Sequence, residues 1–124
     1  MHKIIWLCLA GALGTLARYS LAGWIQRSSG SAFPWGTLTV NLCGCFLAGL
    51  FWALAEHRLS LSGELRIIIL IGFMGGFTTF SAFMLETGNL LQDGEWFWAA
   101  GNVLLHNVIG TAVLFLGLAL GRYL

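Results

Sequence analysis

The fold is decided by the stretch Gly72-Phe73-Met74-Gly75-Gly76-Phe77-Thr78-Thr79-Phe80-Ser81-Ala82-Phe83, which lies within an apolar run of membrane-spanning length. Its glycines and hydroxyls fall at a depth where unpaired backbone groups are costly. Glycine weakens a helix by about 1 kcal/mol relative to alanine, and Thr and Ser hydroxyls compete for backbone partners. The stretch therefore predicts a helix that breaks inside the membrane, buried in protein or lining a cavity. The alternative is an intact helix that the glycines allow to pack closely against a neighbour.

The rest of the chain is equally apolar. Of its 124 residues, 58% are hydrophobic and 9% are charged, which is the composition of an integral membrane protein. Four stretches reach or approach the roughly 20 residues that a helix needs to cross a bilayer. We therefore predict an all-α protein with one membrane domain, residues 1–124, and four spans at about 4–25, 35–55, 67–86 and 96–121.

Charged residues are scarce within these spans. We expect no Asp, Glu, Lys or Arg near the middle of any span, and Glu86 is the carboxylate that comes closest to membrane depth. A proton-coupled exporter needs a titratable carboxylate at depth, so this pattern disfavours one. The chain also carries no nucleotide-binding motif, and we expect neither an enzymatic reaction nor a nucleic-acid partner.

Neutral polar residues lie inside the spans instead. Thr37 and Asn41 share one helix face, and Asn102 and His106 share another, because each pair is four residues apart. Together with the hydroxyls of the third span, they predict a polar track suited to passive ion conduction. Each of them could instead be an interhelical hydrogen bond worth about 0.6–2 kcal/mol. His106 is either a titrating group or a neutral hydrogen-bond partner.

A bundle of four helices has no room for an aqueous path at its centre, so a transport function predicts an oligomer. Small residues recur four apart at Ala10 and Gly14, and at Gly117 and Gly121, which favours close helix contacts either between or within subunits. The basic residues favour one orientation, with both termini in the cytoplasm. On one side of the membrane lie Lys3, Arg58, Arg66 and Arg122, and Arg27 lies on the other.

Three segments together resemble the signature regions of the CrcB/Fluc fluoride channels. They are Gly11-Ala12-Leu13-Gly14-Thr15-Leu16-Ala17-Arg18-Tyr19, Gly36-Thr37-Leu38-Thr39-Val40-Asn41-Leu42-Cys43-Gly44 and the Gly72–Phe83 stretch. The resemblance implies an antiparallel, dual-topology homodimer with two pores, which passively exports fluoride across the cell inner membrane and so reduces its toxicity. This implication conflicts with the single orientation that the basic residues favour.

The resemblance also implies a set of site residues. The backbone carbonyls of Gly75 and Thr78 from both chains would hold one structural Na⁺ that is not transported. Arg18 would either attract fluoride into a vestibule or anchor the first span locally. The remaining pore candidates are Phe80, Phe83, Asn41, Ser81, Thr37, Thr79 and His106.

Other interpretations of these residues remain open. Without the resemblance, Phe80 and Phe83 are packing aromatics three residues apart on a helix. A small multidrug-type proton-coupled exporter shares the predicted architecture but needs a mid-membrane carboxylate in its first span. A non-transporting membrane subunit predicts that Phe80→Ile or Asn41→Ala changes no ion flux, because there is none.

Overall fold

The computed structural model describes every residue from Met1 to Leu124, and the chain is entirely helical. Its helices are α1 (His2–Ser29), α2 (Trp35–His57), α3 (63–77), α4 (Phe80–Gln92) and α5 (Trp96–Tyr123). With α3 and α4 taken together, four helices are long and apolar enough to cross a membrane, at 28, 23, 30 and 28 residues. The all-helical membrane architecture is therefore confirmed, and each helix extends beyond the apolar core predicted for it.

The turn between α1 and α2 is held by one side chain. Gly30 ends α1 in the left-handed conformation, at φ 59°, which glycine adopts without strain. The Gln26 amide nitrogen donates to the Ser31 and Phe33 carbonyls, and its oxygen accepts from the Gly36 N–H. These bonds fix the direction in which α2 enters the bundle.

The third span is broken, as predicted. Helix α3 ends at Phe77, and Thr78 and Thr79 are extended, with φ/ψ of −96°/158° and −149°/120°. Helix α4 then begins at Phe80, where the Thr79 hydroxyl accepts from the Ala82 N–H at 3.2 Å as an N-cap. The intact-helix alternative is wrong.

The glycines before the break have a different role from the one predicted for them. A Cβ added at Gly76 would overlap the Gly11 carbonyl, and one added at Gly14 would lie 2.9 Å from the Phe77 nitrogen. These glycines bring α1 and α3 into backbone contact, while the chain breaks at the two threonines that follow them. Close packing and the break thus occur side by side in the same segment.

Helix α2 is the centre of the bundle and packs along α5. Gly117 lies against α2, since a Cβ there would be 2.9 Å from the Leu50 nitrogen. Gly121 lies one turn further along, and a Cβ there would be 2.7 Å from the Ala53 Cβ. The small-residue pairs are therefore used for packing within one protomer, which was one of the two interpretations left open.

Two spans contain wide π-helical turns, at Ile68–Phe73 in the third span and at Leu105–Ile109 in α5. Such turns shift the side chains that follow by a fraction of a helical turn, and they occur often at functional sites. The second one contains His106. The direction of the His106 ring therefore depends on this wide turn.

Candidate functional site

The Asn41 side chain forms hydrogen bonds with the backbone at the break in the third span. It lies on α2 and is 9% exposed. Its Oδ1 accepts from the Thr79 N–H at 2.8 Å, and its Nδ2 donates to the Thr79 carbonyl at 2.9 Å. A backbone group left unpaired at this depth would be costly, and Asn41 supplies the partners that the interrupted helix cannot.

The His106 ring contacts the Asn41 amide. Its Nε2 is 3.1 Å from the Asn41 Nδ2, and its Nδ1 is 3.0 Å from the Asn102 carbonyl oxygen. The imidazole also stacks on the Phe83 ring, with centroids 4.0 Å apart and planes inclined by 28°. The ring therefore contacts α2 and α4 as well as its own helix.

A second layer of buried polar residues lies one turn before His106. Asn102 is 0% exposed, and its Nδ2 donates to the Thr87 hydroxyl at 2.9 Å. That hydroxyl in turn donates to the Phe83 carbonyl at 2.8 Å. The Asn102 Oδ1 is buried and has no partner among the residues of the protomer. Sequence reasoning placed Asn102 on the His106 face but missed Thr87, whose spacing of four from Phe83 was the available signal.

The two phenylalanines of α4 differ sharply in exposure. Phe83 is 5% exposed, whereas Phe80 is 74% exposed on the surface of the protomer. Their ring centroids are 5.7 Å apart and their planes are inclined by 67°, which is an edge-to-face pair. Phe83 is thus in part a packing residue, whereas the Phe80 ring lies on the outer surface of the protomer.

Thr37 and Glu86 form a separate polar contact. The Thr37 hydroxyl donates to the Glu86 Oε1 at 2.7 Å, and the other carboxyl oxygen is buried without a partner. Glu86 lies within α4 and not at its end, and its carboxyl group accepts a hydrogen bond from a hydroxyl on α2. Because the Thr37 hydroxyl hydrogen is used in this bond, it is not free to donate to another group.

Arg18 lies beside the break. Its Nε donates to the Gly76 carbonyl at 3.0 Å, near the end of α3. The expectation that no basic residue lies near the middle of a span is therefore wrong for the first span, because this hydrogen bond places the Arg18 guanidinium at the level of the broken segment. A guanidinium at this depth satisfies a carbonyl and holds α1 against α3.

The hydroxyls around the break are used in different ways. The Thr78 hydroxyl donates to the Met74 carbonyl at 2.9 Å, and its methyl group packs against Gly44. The Thr79 hydroxyl lies 3.4 Å from that of Ser81, which is exposed. At most one hydroxyl hydrogen joins this pair, so at least one remains to donate to a ligand.

Most of the predicted residues meet at one cavity of about 360 Å³ between α2, α4 and α5. Thr37 instead lines a smaller cavity of about 320 Å³ together with Glu86 and Gln26. Neither of these two cavities is lined by Arg18, Ser81 or Gly75. The larger cavity is lined by Asn41, Thr78, Thr79, Phe80, Phe83 and His106, among others.

The chain matches one family profile and several proteins that share one name. A family profile described as "CrcB-like protein, Camphor Resistance (CrcB)" matches residues 5–118. A protein of Desulforapulum autotrophicum is 56% identical over 98% of this chain and 97% of its own length, and one of Nitrosococcus oceani is 50% identical over the same shares. A third, from Geobacter metallireducens, is 48% identical over the whole of both chains. All three are named "Fluoride-specific ion channel FluC". The chain is a member of the CrcB family.

Proposed function

We propose that this protein is a passive, fluoride-selective ion channel. It exports fluoride across the cell inner membrane and lowers the concentration of this toxic anion in the cytoplasm. Relatives that match almost the whole chain are named "Fluoride-specific ion channel FluC", which supports fluoride as the conducted ion. The observation in this chain that carries the proposal is the opening of the third span at Thr78 and Thr79, because irregular backbone survives at membrane depth only where it is covered or lines a path.

The residues beside the break supply neutral donors and ring edges. A phenyl ring is positive at its edge, so the edges of Phe80 and Phe83 offer an anion a favourable approach. The Thr79 and Ser81 hydroxyls add hydrogen-bond donors at the same level. The donors of Thr37 and Asn41 are engaged within the protomer, and fluoride reaches them by exchange with these partners. His106 lines the same cavity as Asn41 and the two phenylalanines. Weak neutral sites replace the water shell of the ion without trapping it.

The functional unit in this proposal is an antiparallel homodimer with dual topology and two pores. Phe80 is exposed on the surface of the protomer, and a Cβ added at Gly75 would meet no atom within 4 Å. An open break of this kind facing lipid would leave carbonyls unsatisfied at a cost of several kcal/mol each. A second copy related by a twofold axis covers the same surface on both chains.

A structural Na⁺ at the centre of this dimer fits the carbonyls at the break. The Thr79 N–H, the helical partner of the Gly75 carbonyl, is directed to Asn41 instead, and the Gly76 carbonyl is taken by Arg18. The Gly75 carbonyl thus lacks its helical partner. We propose that the carbonyl oxygens of Gly75 and Thr78 bind the cation, because a hard cation prefers such oxygens. When bound, the ion would hold the two breaks together and raise the potential felt by a nearby anion.

Arg18 adds a second positive charge at the same level. Only its Nε bonds within the protomer, so the guanidinium lies beside the break with its terminal nitrogens free. We place it in the vestibule, where its charge increases the local concentration of anions.

The competing function is a proton-coupled exporter of the small multidrug type. It needs a carboxylate in the middle of the first span, and α1 contains neither Asp nor Glu. The relatives are also named as ion channels. The exporter is therefore not favoured.

Efflux from liposomes tests the proposal. Purified protein is reconstituted into vesicles loaded with potassium fluoride, valinomycin is added, and a fluoride electrode records the release. We expect rapid loss of fluoride and no loss of chloride from matched vesicles, and we expect Phe80→Ile to abolish the fluoride signal. Retention of fluoride by vesicles that contain folded protein would contradict the proposal.

A further inference from the structure

The orientation of the Asn41 amide is fixed by the backbone. The Thr79 N–H can only donate, and it faces Oδ1 at 2.8 Å. The Thr79 carbonyl can only accept, and it faces Nδ2 at 2.9 Å. If the amide were flipped, its NH₂ group would face the Thr79 N–H, donor against donor, and its oxygen would face the Thr79 carbonyl, acceptor against acceptor. The nitrogen of Asn41 must therefore be the atom that faces His106.

This orientation determines where the His106 ring carries its hydrogen. The second hydrogen of the Asn41 Nδ2 points to Nε2 at 3.1 Å, so Nε2 must accept and cannot be protonated. On the other side of the ring, Nδ1 lies 3.0 Å from the Asn102 carbonyl, which can only accept. Nδ1 therefore carries the hydrogen. The imidazole is neutral and is in the Nδ1–H tautomer.

The surroundings of the ring hold it in this place. The wide turn at Leu105–Ile109 sets the ring direction, and Phe83 packs on one of its faces. One turn earlier, Asn102 connects α5 to α4 through Thr87. Since these contacts come from separate helices, the Nε2 lone pair is aimed at Asn41 by the bundle and not by Asn41 alone.

We propose that His106 is a positioning residue, which holds the Asn41 amide against the broken backbone by accepting its second hydrogen on Nε2. The inference deepens the proposed function and rests on it for its effect on fluoride flux. His106 acts on the anion path through Asn41, so the property it must supply is an acceptor at the Nε2 position. A side chain that only filled the same space would not replace it.

The tautomer is measurable without any ion flux. His2 and His57, which are both exposed, are replaced by Gln, so that ¹⁵N-labelled histidine reports on His106 alone. Solid-state NMR of the protein in lipid should show a protonated Nδ1 and an unprotonated Nε2. In Asn41→Ala the donor to Nε2 is gone, and we expect the preference for one tautomer to be reduced or reversed. A protonated Nε2 in the otherwise unchanged protein would overturn the inference.

Flux through two variants of His106 tests the consequence. Gln offers an acceptor oxygen near the Nε2 position, whereas Leu offers none. We expect His106→Gln to retain most of the fluoride flux and His106→Leu to reduce it by about tenfold, the factor that corresponds to one lost hydrogen bond. His57→Leu is the matched control, because it makes the same change at an exposed histidine at the end of α2. Equal flux in His106→Leu and the unchanged protein would overturn the inference.

The two measurements separate this inference from the proposed function. If the unchanged protein passes no fluoride but shows the Nδ1–H tautomer, the channel proposal fails and the arrangement of His106 and Asn41 stands. If fluoride passes and the tautomer is the opposite one, the inference fails and the channel proposal stands. Should His106→Leu not fold, the NMR measurement on the labelled protein decides the matter alone.

Discussion

The Asn41 side chain occupies the place of two backbone partners at the broken third span. Its two bonds to Thr79 are 2.8 and 2.9 Å long and lie largely out of contact with solvent. In a membrane there is no water to take over these bonds, so the extended conformation of Thr79 depends on this one amide. A single residue on a neighbouring helix thus supplies both hydrogen-bond partners of the Thr79 backbone.

Asn41→Ala should destabilise the protein and expose the break. The substitution leaves the N–H and the carbonyl of Thr79 unpaired, and each loss costs about 1–3 kcal/mol. Equilibrium unfolding in detergent should show the loss, and hydrogen exchange should become faster at Thr79. Asn107→Ala is the control, since the Asn107 amide is exposed and bonds only the Val103 carbonyl of its own helix. Equal stability and exchange in the two variants would contradict this role of Asn41.

Thr37→Val tests the hydroxyl on Glu86. The substitution keeps the shape of the side chain but removes the hydrogen bond to the carboxyl group, whose other oxygen is already buried without a partner. We expect a loss of about 1 kcal/mol in unfolding free energy, which Thr37→Ser should largely avoid because it keeps the hydroxyl. The hydrogen bond does not contribute as described if Val and Ser at this position give the same unfolding free energy.

Much of this residue-level picture could be expected from spacing alone. Intervals of four placed Asn102 and His106 on one face, and Asn41 was singled out as a polar residue at depth. The bond between Asn41 and Thr79 could not be predicted, because it depends on how α2 is rotated against the third span. The contact of Arg18 with the Gly76 carbonyl could not be predicted for a related reason, since it depends on how α1 is placed against the third span.

At the scale of the helices, one set of residues brings α1 and the third span into close backbone contact, and a different set interrupts the third span. The glycines of the third span and of α1 let these helices touch, and Thr78 and Thr79 interrupt the chain just after that contact. Composition could show that both effects belong to this segment. It could not separate them, because glycine promotes flexibility and close packing alike.

Gly14→Ala should weaken the contact between α1 and α3. The added methyl group would overlap the Phe73 carbonyl and lie 2.9 Å from the Phe77 nitrogen, so one helix must move. We expect a loss of about 1–3 kcal/mol, the usual cost of overpacking. Gly101→Ala is the matched control on α5, where an added Cβ meets nothing within 4 Å. If the two variants unfold at the same denaturant concentration, α1 and α3 do not pack in this way.

At the scale of the whole molecule, a single protomer is an incomplete bundle. Helix α1 has one buried residue, Gly14, and the Phe80 side of the break faces outward. Helix count and composition indicated a membrane bundle, and the surface left open at the break supports a second copy. The basic residues and the family resemblance give opposite predictions for the orientation of that copy: the first favour a single orientation, and the second implies an antiparallel one.

Labelling in whole cells decides between these two orientations. The natural cysteines Cys8, Cys43 and Cys45 are replaced by Ala, and one cysteine is placed at His2, next to the N-terminus. Dual topology predicts that an impermeant thiol reagent modifies about half of the molecules from outside, whereas the bias of Lys and Arg predicts almost none. A cysteine at Ser31, in the loop at the other end of α1, should give the same half under dual topology. Labelling of only one of the two positions would contradict the antiparallel dimer.

The most direct test of fluoride conduction is the reversal potential of purified protein in a planar bilayer. Fluoride is present as a gradient, chloride is equal on both sides, and the pH is varied on one side. A passive fluoride channel predicts a current that reverses at the fluoride equilibrium potential, about 59 mV for each tenfold gradient, and that does not follow the pH gradient. A reversal potential that follows the proton gradient, or no fluoride current from folded protein, would contradict the account.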